Sequence, residues 1–447
     1  MSGSLTIRQA RLVLPDRVVT GDLLVEDGVI AEIGPSVARS AGEEINGAGL
    51  TVLPGVIDPH VAFREPGATH KEDIASGSRA AASGGVTAYL DMPNNDPVCT
   101  TVERVEAKFA RAAEESVVHY GFFMGANGEN NDELVACDRI CGVKVMMGPS
   151  ADGLRLRGME RLEHIVAGIG DKLLAVHAED GARIRERALM YEERQDPADH
   201  PRVRDVEAAL SATRHAVEVA QKHGRRMHLL HVSTAEEVAF LETVDRGRLT
   251  AEVTPHHLFL DLDVYERLGS RAVVNPPIRG ERHRTALLRG LQDGVIDCVS
   301  SDHAPHRAEE KDLPYPTTPS GMPGVEWMLP RMLDRVAAGE LRLRDLARWM
   351  SDAPARVYGI PRKGRIELGF DADLVLVDMK ETREVTDATT RSRAGWTPWH
   401  GSRFTGWPVM TVVLGQPVYR DGQLLDGVRG RALSFQRSSR NGLSTIA

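Results

Sequence analysis

The sequence has few cysteines, no long apolar run and no excess of positive charge. Four cysteines in so long a chain do not make a disulfide framework, and Cys137 and Cys141 have no second pair with which to hold zinc. No apolar run approaches the roughly 20 residues of a membrane helix, and the start lacks the pattern of a secretory signal. A formal charge of -9 argues against a nucleic-acid partner. These absences predict a cytoplasmic protein without membrane or nucleic-acid partners.

One further absence concerns a single position. An apolar run that predicts one strand, Val52 to Ile57, leads into Asp58-Pro59-His60-Val61-Ala62. Residues two apart in a strand face the same side, so His60 and position 62 are expected to face one pocket. A metal site there would use a second imidazole as a ligand, and the methyl group of Ala62 cannot coordinate an ion.

Strand-like and helix-like segments alternate from about residue 55 to residue 355. Apolar runs typical of buried strands include 86–90, 142–147, 172–176, 226–230 and 296–300. Helical candidates between such runs include 75–82, 102–115 and 206–223. Repeated alternation of this kind predicts an α/β fold, a parallel (β/α)8 barrel of the TIM type.

Both ends of the chain show a different sequence pattern, which predicts short strands without intervening helices. Asp27-Gly28 lies between the runs 23–26 and 29–33 and indicates a hairpin. Strand-like runs return at 372–377, 409–413 and 418–419. We therefore expect residues 1–54 and 359–430 to build one small β-sandwich domain beside a barrel of residues 55–358. Residues 431–447 are expected to form a loosely held polar tail.

Polar residues close several of the predicted barrel strands, where catalytic groups of such barrels lie. These residues are His60, Lys144, His177, His231 and Asp302. A single histidine at a strand end is usually structural, but three of them with an aspartate indicate a site for Zn²⁺ or a similar ion. Lys144 lies inside an apolar run, so its amine either reaches the rim or is neutralised or modified inside.

At these residues the chain resembles the amidohydrolase superfamily and, within it, the dihydroorotases. The motifs follow one another in the order typical of the family over nearly the whole chain: Phe63-Arg64-Glu65-Pro66-Gly67, His70-Lys71-Glu72-Asp73, Asp91-Met92-Pro93-Asn94-Asn95, Gly142-Val143-Lys144, His177-Ala178-Glu179-Asp180, His231-Val232-Ser233-Thr234-Ala235, Asn275-Pro276-Pro277 and Asp302-His303-Ala304-Pro305-His306. Each motif alone is weak, whereas the set is specific.

The resemblance implies a role for each matching residue. Lys144 would be carboxylated and bridge two metal ions, with His177 and His231 holding one ion and His60 and Asp302 helping to hold the other. Asp302 would also act as general acid and base. The implied substrate is dihydroorotate, which the enzyme would interconvert with carbamoyl aspartate in pyrimidine synthesis.

Substrate choice depends on a carboxylate that dihydroorotate has and hydantoin lacks. A guanidinium suits a fixed anion, and the resemblance assigns that role to Arg64, with Asn94 and His306 completing the anion site. Asn275 and the backbone around Ser320 and Gly321 would touch the ring. Without the resemblance, a surface salt bridge from Arg64 to Glu65 or another acid is the simpler interpretation. Residues 149–153 form either a cover over the pocket or an ordinary connector.

Ala62 departs from the His-x-His pair of the superfamily and leaves the metal count at one or two zinc ions per chain. The chain is then an enzyme with one tight zinc, an enzyme with a weak second zinc, or an impaired scaffold subunit for aspartate carbamoyltransferase. An engineered change at position 62 is a fourth alternative. An allantoinase or hydantoinase acting on neutral rings is a competing function. A homo-oligomer is expected in each case.

Overall fold

The computed structural model describes residues 3–39, 41–149, 154, 156 and 160–436 of the chain. The strands of the first part are β1 (Leu5–Val13), β2 (Val18–Glu26), β3 (Val29–Gly34), β4 (Glu43–Asn46) and β5 (Thr51–Pro54). The central strands are β6 (Val56–Val61), β7 (Val86–Asp91), β8 (His119–Gly125), β9 (Gly142–Met146), β10 (Leu174–His177), β11 (Met227–Leu229), β12 (Leu249–Val253) and β13 (Cys298–Val299). The last strands are β14 (Leu374–Glu384), β15 (Arg403–Val413), β16 (Gln416–Arg420) and β17 (Gln423–Leu424).

The α-helices lie mainly between the central strands. They are α1 (Ile74–Ser83), α2 (Val102–Glu115), α3 (Asn131–Ala136), α4 (Glu160–Gly168), α5 (Gly181–Met190), α6 (His200–Val203), α7 (Val206–Lys222), α8 (Ala235–Leu241), α9 (Pro255–Phe259), α10 (Asp263–Leu268), α11 (Glu281–Gln292), α12 (Ala308–Lys311), α13 (Met328–Ala337), α14 (Leu343–Ala347) and α15 (Ala353–Tyr358). Within the described ranges, no helix combines the length and apolar character needed to cross a bilayer.

The central strands form one parallel sheet in the order β6 to β13. Its two edges meet through a parallel bridge between Val61 and His303, and the Ala62 amide donates to the His303 carbonyl at 2.7 Å. The side chain of Asp58 strengthens this closure, because its Oδ1 accepts from the amides of His60 at 3.2 Å and Ser301 at 3.0 Å. Burial raises the pKa of Asp58 to about 7. The expected (β/α)8 barrel is therefore confirmed.

Strands from both ends of the chain form a second, nine-stranded sheet, with β14 paired to β5. The run from Val52 to Ile57 is not one strand, as expected from the sequence, but two. Residues up to Pro54 belong to the second sheet, and residues from Val56 belong to the barrel. Gly55 stands at the crossing, where a Cβ atom would lie 2.2 Å from the Thr87 hydroxyl, so the chain changes sheets where only glycine fits.

The segment after β17 returns to the barrel. Leu433 donates its amide to the Tyr120 carbonyl, and Gln436 donates to the Gly359 carbonyl, both at 2.8 Å. Leu433 is buried, and Phe435 packs against the same apolar cluster. The expectation of a loosely held tail from residue 431 is thus wrong for residues 431–436, because these apolar side chains anchor them. Residues 437–447 lie outside the described ranges.

A buried ionic cluster joins the two sheets. Asp373, just before β14, accepts from the Leu414 amide at 2.9 Å, lies 3.1 Å from His119 Nε2 at the start of β8, and pairs with Lys363. Burial alone would raise the pKa of Asp373, but Lys363 and His119 hold it below its ordinary value. The carboxylate therefore stabilises the contact between the second sheet and the barrel.

We expect Asp373→Asn to lower the free energy of unfolding by about 3 kcal/mol, because it leaves the buried Lys363 without its main partner. The pKa of this carboxyl is lowered on folding, so its stabilisation is fully present above the unfolded pKa of about 4 and is lost progressively as the pH falls from there toward the lower folded pKa. Urea unfolding at pH 7 and at pH 3 measures both effects. Asp371→Asn, at a more exposed partner of Lys363, is the matched control and should cost about 1 kcal/mol or less. Equal losses in the two variants would contradict the assignment.

Candidate active site

A pocket of about 430 Å³ opens at the carboxyl ends of the barrel strands. Every residue that the sequence singled out as catalytic, metal-binding or substrate-binding lines it: His60, Arg64, Asn94, Lys144, His177, His231, Asn275, Asp302, His306, Ser320 and Gly321. Ala62 lines the same pocket. The closure of the barrel brings together residues that are up to 261 positions apart in the sequence, from His60 to Gly321.

Two histidines face each other on one side of the pocket. His177 ends β10 and His231 follows β11, and His177 Nδ1 lies 3.0 Å from His231 Nε2. Burial lowers the pKa of both imidazoles, so both rings are neutral. Two nitrogen atoms that converge this closely need a shared proton or a shared cation between them, and neutral imidazole suits a cation. The donor set of this His177–His231 pair therefore fits a metal ion.

A charged pair behind His177 orients its ring. His177 Nε2 lies 2.7 Å from Glu179 Oε2, and Arg204 donates to the same carboxylate. Burial alone would raise the pKa of Glu179, but Arg204 and His177 lower it to about 2. Glu179 belongs to a motif found in the sequence, whereas no sequence signal marked Arg204, which lines the pocket.

His60 and Asp302 face each other on the opposite side. His60 Nε2 lies 3.2 Å from Asp302 Oδ1, and His60 Nδ1 lies 2.7 Å from Glu252 Oε1. Burial raises the pKa of Asp302, which favours a carboxyl that can exchange a proton. Glu252 is fully buried and was missed from the sequence. Its signal was a charge inside the apolar strand Leu249–Val253, the same kind of signal that identified Lys144.

Lys144 lies in β9 and is 2% exposed, but it lines the same pocket as His60, His177 and His231. Of the two interpretations that its sequence allowed, the structure excludes an amine that extends to a solvated rim. A buried lysine among imidazoles and carboxylates is a group whose charge must be neutralised or shared.

The side of the pocket formed by Arg64, Asn94 and His306 is called here the anion subsite. Arg64 Nη2 lies 3.2 Å from His306 Nε2, and Lys71 Nζ lies 3.0 Å from His306 Nδ1. Burial, Arg64 and Lys71 together lower the pKa of His306 well below its ordinary value. Arg64 is only 6% exposed, and Glu65 pairs with Arg111 at 2.9 Å. The interpretation of Arg64 as a surface group is therefore wrong, whichever acid it pairs with.

Asn275, Ser320 and Gly321 form the remaining wall. Asn275 Oδ1 lies 2.9 Å from His200 Nε2, and the Ser320 carbonyl lies 3.1 Å from His306 Nε2. Gly321 has a φ of 138°, and a Cβ there would lie 2.4 Å from the Ala304 carbonyl oxygen. Only glycine allows this close approach. Pro149 lines the pocket, but residues 150–153 of the expected covering loop lie outside the described ranges.

Three residues of the pocket adopt a left-handed backbone conformation, which residues other than glycine rarely adopt. The φ angles are 60° at Arg64, 33° at His231 and 45° at Asp302. Such conformations cost roughly 1–3 kcal/mol each and concentrate at functional sites. The fold therefore holds these side chains in position at the expense of stability.

The chain matches known proteins over nearly its full length. Residues 51–418 match the amidohydrolase family. A dihydroorotase from Halobacterium salinarum is 38% identical over 427 residues, covering 91% of this chain and 99% of the relative. A dihydroorotase from Methanothermobacter thermautotrophicus is 34% identical and covers 96% of this chain and 97% of the relative.

Solved structures of the same fold are also similar. An L-hydantoinase (dihydropyrimidinase) from Arthrobacter aurescens superposes with a TM-score of 0.93 at 29% identity, covering 97% of this chain and 100% of the other. A dihydropyrimidinase from Brevibacillus agri gives 0.89 at 25% identity, covering 98% of this chain and 100% of the other. The chain therefore belongs to the amidohydrolase family, in which it is a cyclic amidohydrolase.

Proposed function

We propose that this protein is a zinc-dependent dihydroorotase, which reversibly hydrolyses the cyclic amide of dihydroorotate to N-carbamoyl-aspartate in pyrimidine biosynthesis. The names of its relatives support this proposal. The single observation that supports it is that the buried guanidinium of Arg64 lines the same pocket as the paired imidazoles and the Asp302 carboxylate.

The anion subsite distinguishes substrates by charge. Dihydroorotate carries a carboxylate outside the bond that is broken, whereas hydantoin and dihydrouracil carry none. A buried guanidinium gains most from a ligand that can pair with its charge, and a neutral ring offers no such pairing. We therefore infer that Arg64 receives the substrate carboxylate, with Asn94 and His306 beside it and Asn275, Ser320 and Gly321 along the ring.

Five residues would hold zinc: His177 and His231 on one side, His60 and Asp302 on the other, and Lys144 between them, carboxylated by CO2. Zinc in such a site activates water at neutral pH and polarises a carbonyl. The neutral state of His177 and His231 supports this assignment, because a protonated imidazole cannot ligate.

Asp302 would move the proton of the reaction. In ring opening, its carboxylate takes a proton from the attacking water and gives it to the amide nitrogen as the carbon–nitrogen bond breaks. In ring closure the same oxygen returns the proton to the departing water. The raised pKa of Asp302 supports this role, since a group that both accepts and donates works best near the ambient pH.

A direct assay tests the proposal. Metal-free protein with added Zn²⁺ should open dihydroorotate, and chelator should abolish the activity reversibly. No turnover at any zinc concentration, combined with tight binding to an aspartate carbamoyltransferase, would instead support the scaffold alternative. We also propose a cytoplasmic homo-oligomer, whose assembly size-exclusion chromatography with light scattering would measure.

Replacing Arg64 separates dihydroorotase from a hydantoinase-type enzyme, the second candidate favoured by the structural similarity to hydantoinases. Arg64→Met should lower kcat/KM for dihydroorotate by about 100-fold, which corresponds to roughly 2.7 kcal/mol for a lost charge-assisted contact. It should change turnover of hydantoin or dihydrouracil little. Arg307→Met, at an exposed arginine close by, should leave both unchanged. Equal losses on charged and neutral rings would contradict the anion subsite.

Position 62 determines the metal count in this proposal. We expect about one zinc per chain in the natural sequence and about two in Ala62→His, because the new imidazole would complete the ligand set beside His60. Elemental analysis after dialysis measures the difference, with Ala62→Leu as a control for bulk without a ligand. The same zinc content in the natural chain and in Ala62→His would show that this position lies away from the metal.

A further inference from the structure

A row of hydrogen-bonding groups lies beneath the pocket and leads inward from Asp302. It continues through His60 to Glu252 Oε1, and from Glu252 Oε2 to His228 Nε2 at 3.1 Å. His228 Nδ1 lies 2.8 Å from Thr250 Oγ1. The row connects the neighbouring strands β11 and β12 with β6 across the barrel closure, and its members belong to none of the sequence motifs except at the pocket end.

Glu252 is the centre of this row. Its side chain is fully buried, and its Oε1 also accepts from the His231 amide at 3.4 Å. Burial alone would raise the pKa of Glu252, but His60 and His228 hold it below its ordinary value. The carboxylate therefore lies between two imidazoles and touches the backbone of a third histidine.

The hydrogen atoms along the row follow from Glu252, because an ionised carboxylate can only accept. His228 therefore donates from Nε2 to one oxygen, and its Nδ1 accepts from the Thr250 hydroxyl, which also lies 3.4 Å from the Met227 carbonyl. The other oxygen of Glu252 accepts from Nδ1 of His60. His60 Nε2 then carries a lone pair directed at the pocket, beside Asp302.

A metal ion in this row is the competing interpretation, because His228, Glu252 and Cys298 offer ligand atoms within 4.8 Å of one another. Two observations weigh against it. Both oxygens of Glu252 already have imidazole partners. Burial raises the pKa of the Cys298 thiol well above its ordinary value, which disfavours the thiolate that a metal requires.

We propose that Glu252 is a positioning residue that keeps His60 in the tautomer with hydrogen on Nδ1 and so presents Nε2 to the pocket. The proposal rests on the proposed function for what binds at Nε2. A second-sphere carboxylate orients many metal-binding histidines, and here the demand is greater. Position 62 is alanine, so His60 supplies the single imidazole of this pair of positions, and its orientation is not shared with a second ring.

Glu252→Met tests the proposal, because methionine is similar in length but has no oxygen to accept a hydrogen bond from either imidazole. Nitrogen-15 NMR of the histidine side chains in metal-free protein should show hydrogen on Nδ1 of His60 in the natural chain. In the variant, that tautomer should be replaced or mixed. Titration of both proteins with Zn²⁺ should show a loss of roughly 10–100-fold in affinity at the weaker site.

Two controls separate a positioning role from a general effect of losing a buried carboxyl and from a metal ion in the row. Glu326→Met changes another buried carboxyl, which contacts Ser83 and the Arg391 amide, and should leave the His60 tautomer unchanged. Cys298→Ser should retain zinc affinity, whereas a metal held by His228, Glu252 and Cys298 would be lost. If Glu252→Met does not fold, Glu252→Leu removes the same acceptor with a shorter side chain.

The outcomes are distinct. An unchanged His60 tautomer in folded Glu252→Met or Glu252→Leu, or zinc loss in Cys298→Ser, overturns the proposal. The tautomer is read without metal or substrate, so it reports on Glu252 even if the protein proves inactive on dihydroorotate. A tautomer shift together with inactivity of the natural chain would leave the positioning role standing and reject the proposed function.

Discussion

Hydrogen bonds between β6 and the residues after β13 close the barrel, and the geometry of the pocket follows from that closure. Asp58 ties the His60 amide to the Ser301 amide, and Ala62 and His303 continue the contact. His60 and Asp302 stand at the two sides of this seam and so approach within 3.2 Å. The strand ends that carry the other polar groups then face one space.

Charges inside the barrel are tolerated because each has a defined partner. Glu179 lies between His177 and Arg204, and Glu252 lies between His60 and His228. Both carboxyl pKa values are lowered in spite of burial. A carboxylate shared in this way leaves the other ring nitrogen of His177 and of His60 directed at the pocket. The two sides of the pocket differ in the group that holds the carboxylate from behind. The guanidinium of Arg204 contacts Glu179, and the imidazole of His228 contacts Glu252.

Local patterns in the sequence predicted individual elements well where an amphipathic face or a turn signal was enough to identify the element. Helix α2 spans Val102–Glu115, as its apolar spacing indicated. The hairpin at Asp27-Gly28 formed as expected, with positive φ at both residues. The prediction of one strand from Val52 to Ile57 was wrong because both halves of this run are buried, one in each sheet. Hydrophobic periodicity cannot show where a continuously buried segment passes from one sheet to the next.

The sequence by itself determined the alternation that makes a barrel, the residues that close its strands, and the alanine two positions after His60. These depend on residue type and near neighbours along the chain. Only the tertiary structure decided that Arg64 is buried beside His306, that Arg204 lies behind His177, and that Glu252 joins His60 to His228. Each of these contacts joins residues that are distant in the chain, and their separation in space is determined by how the barrel closes, which no local pattern encodes.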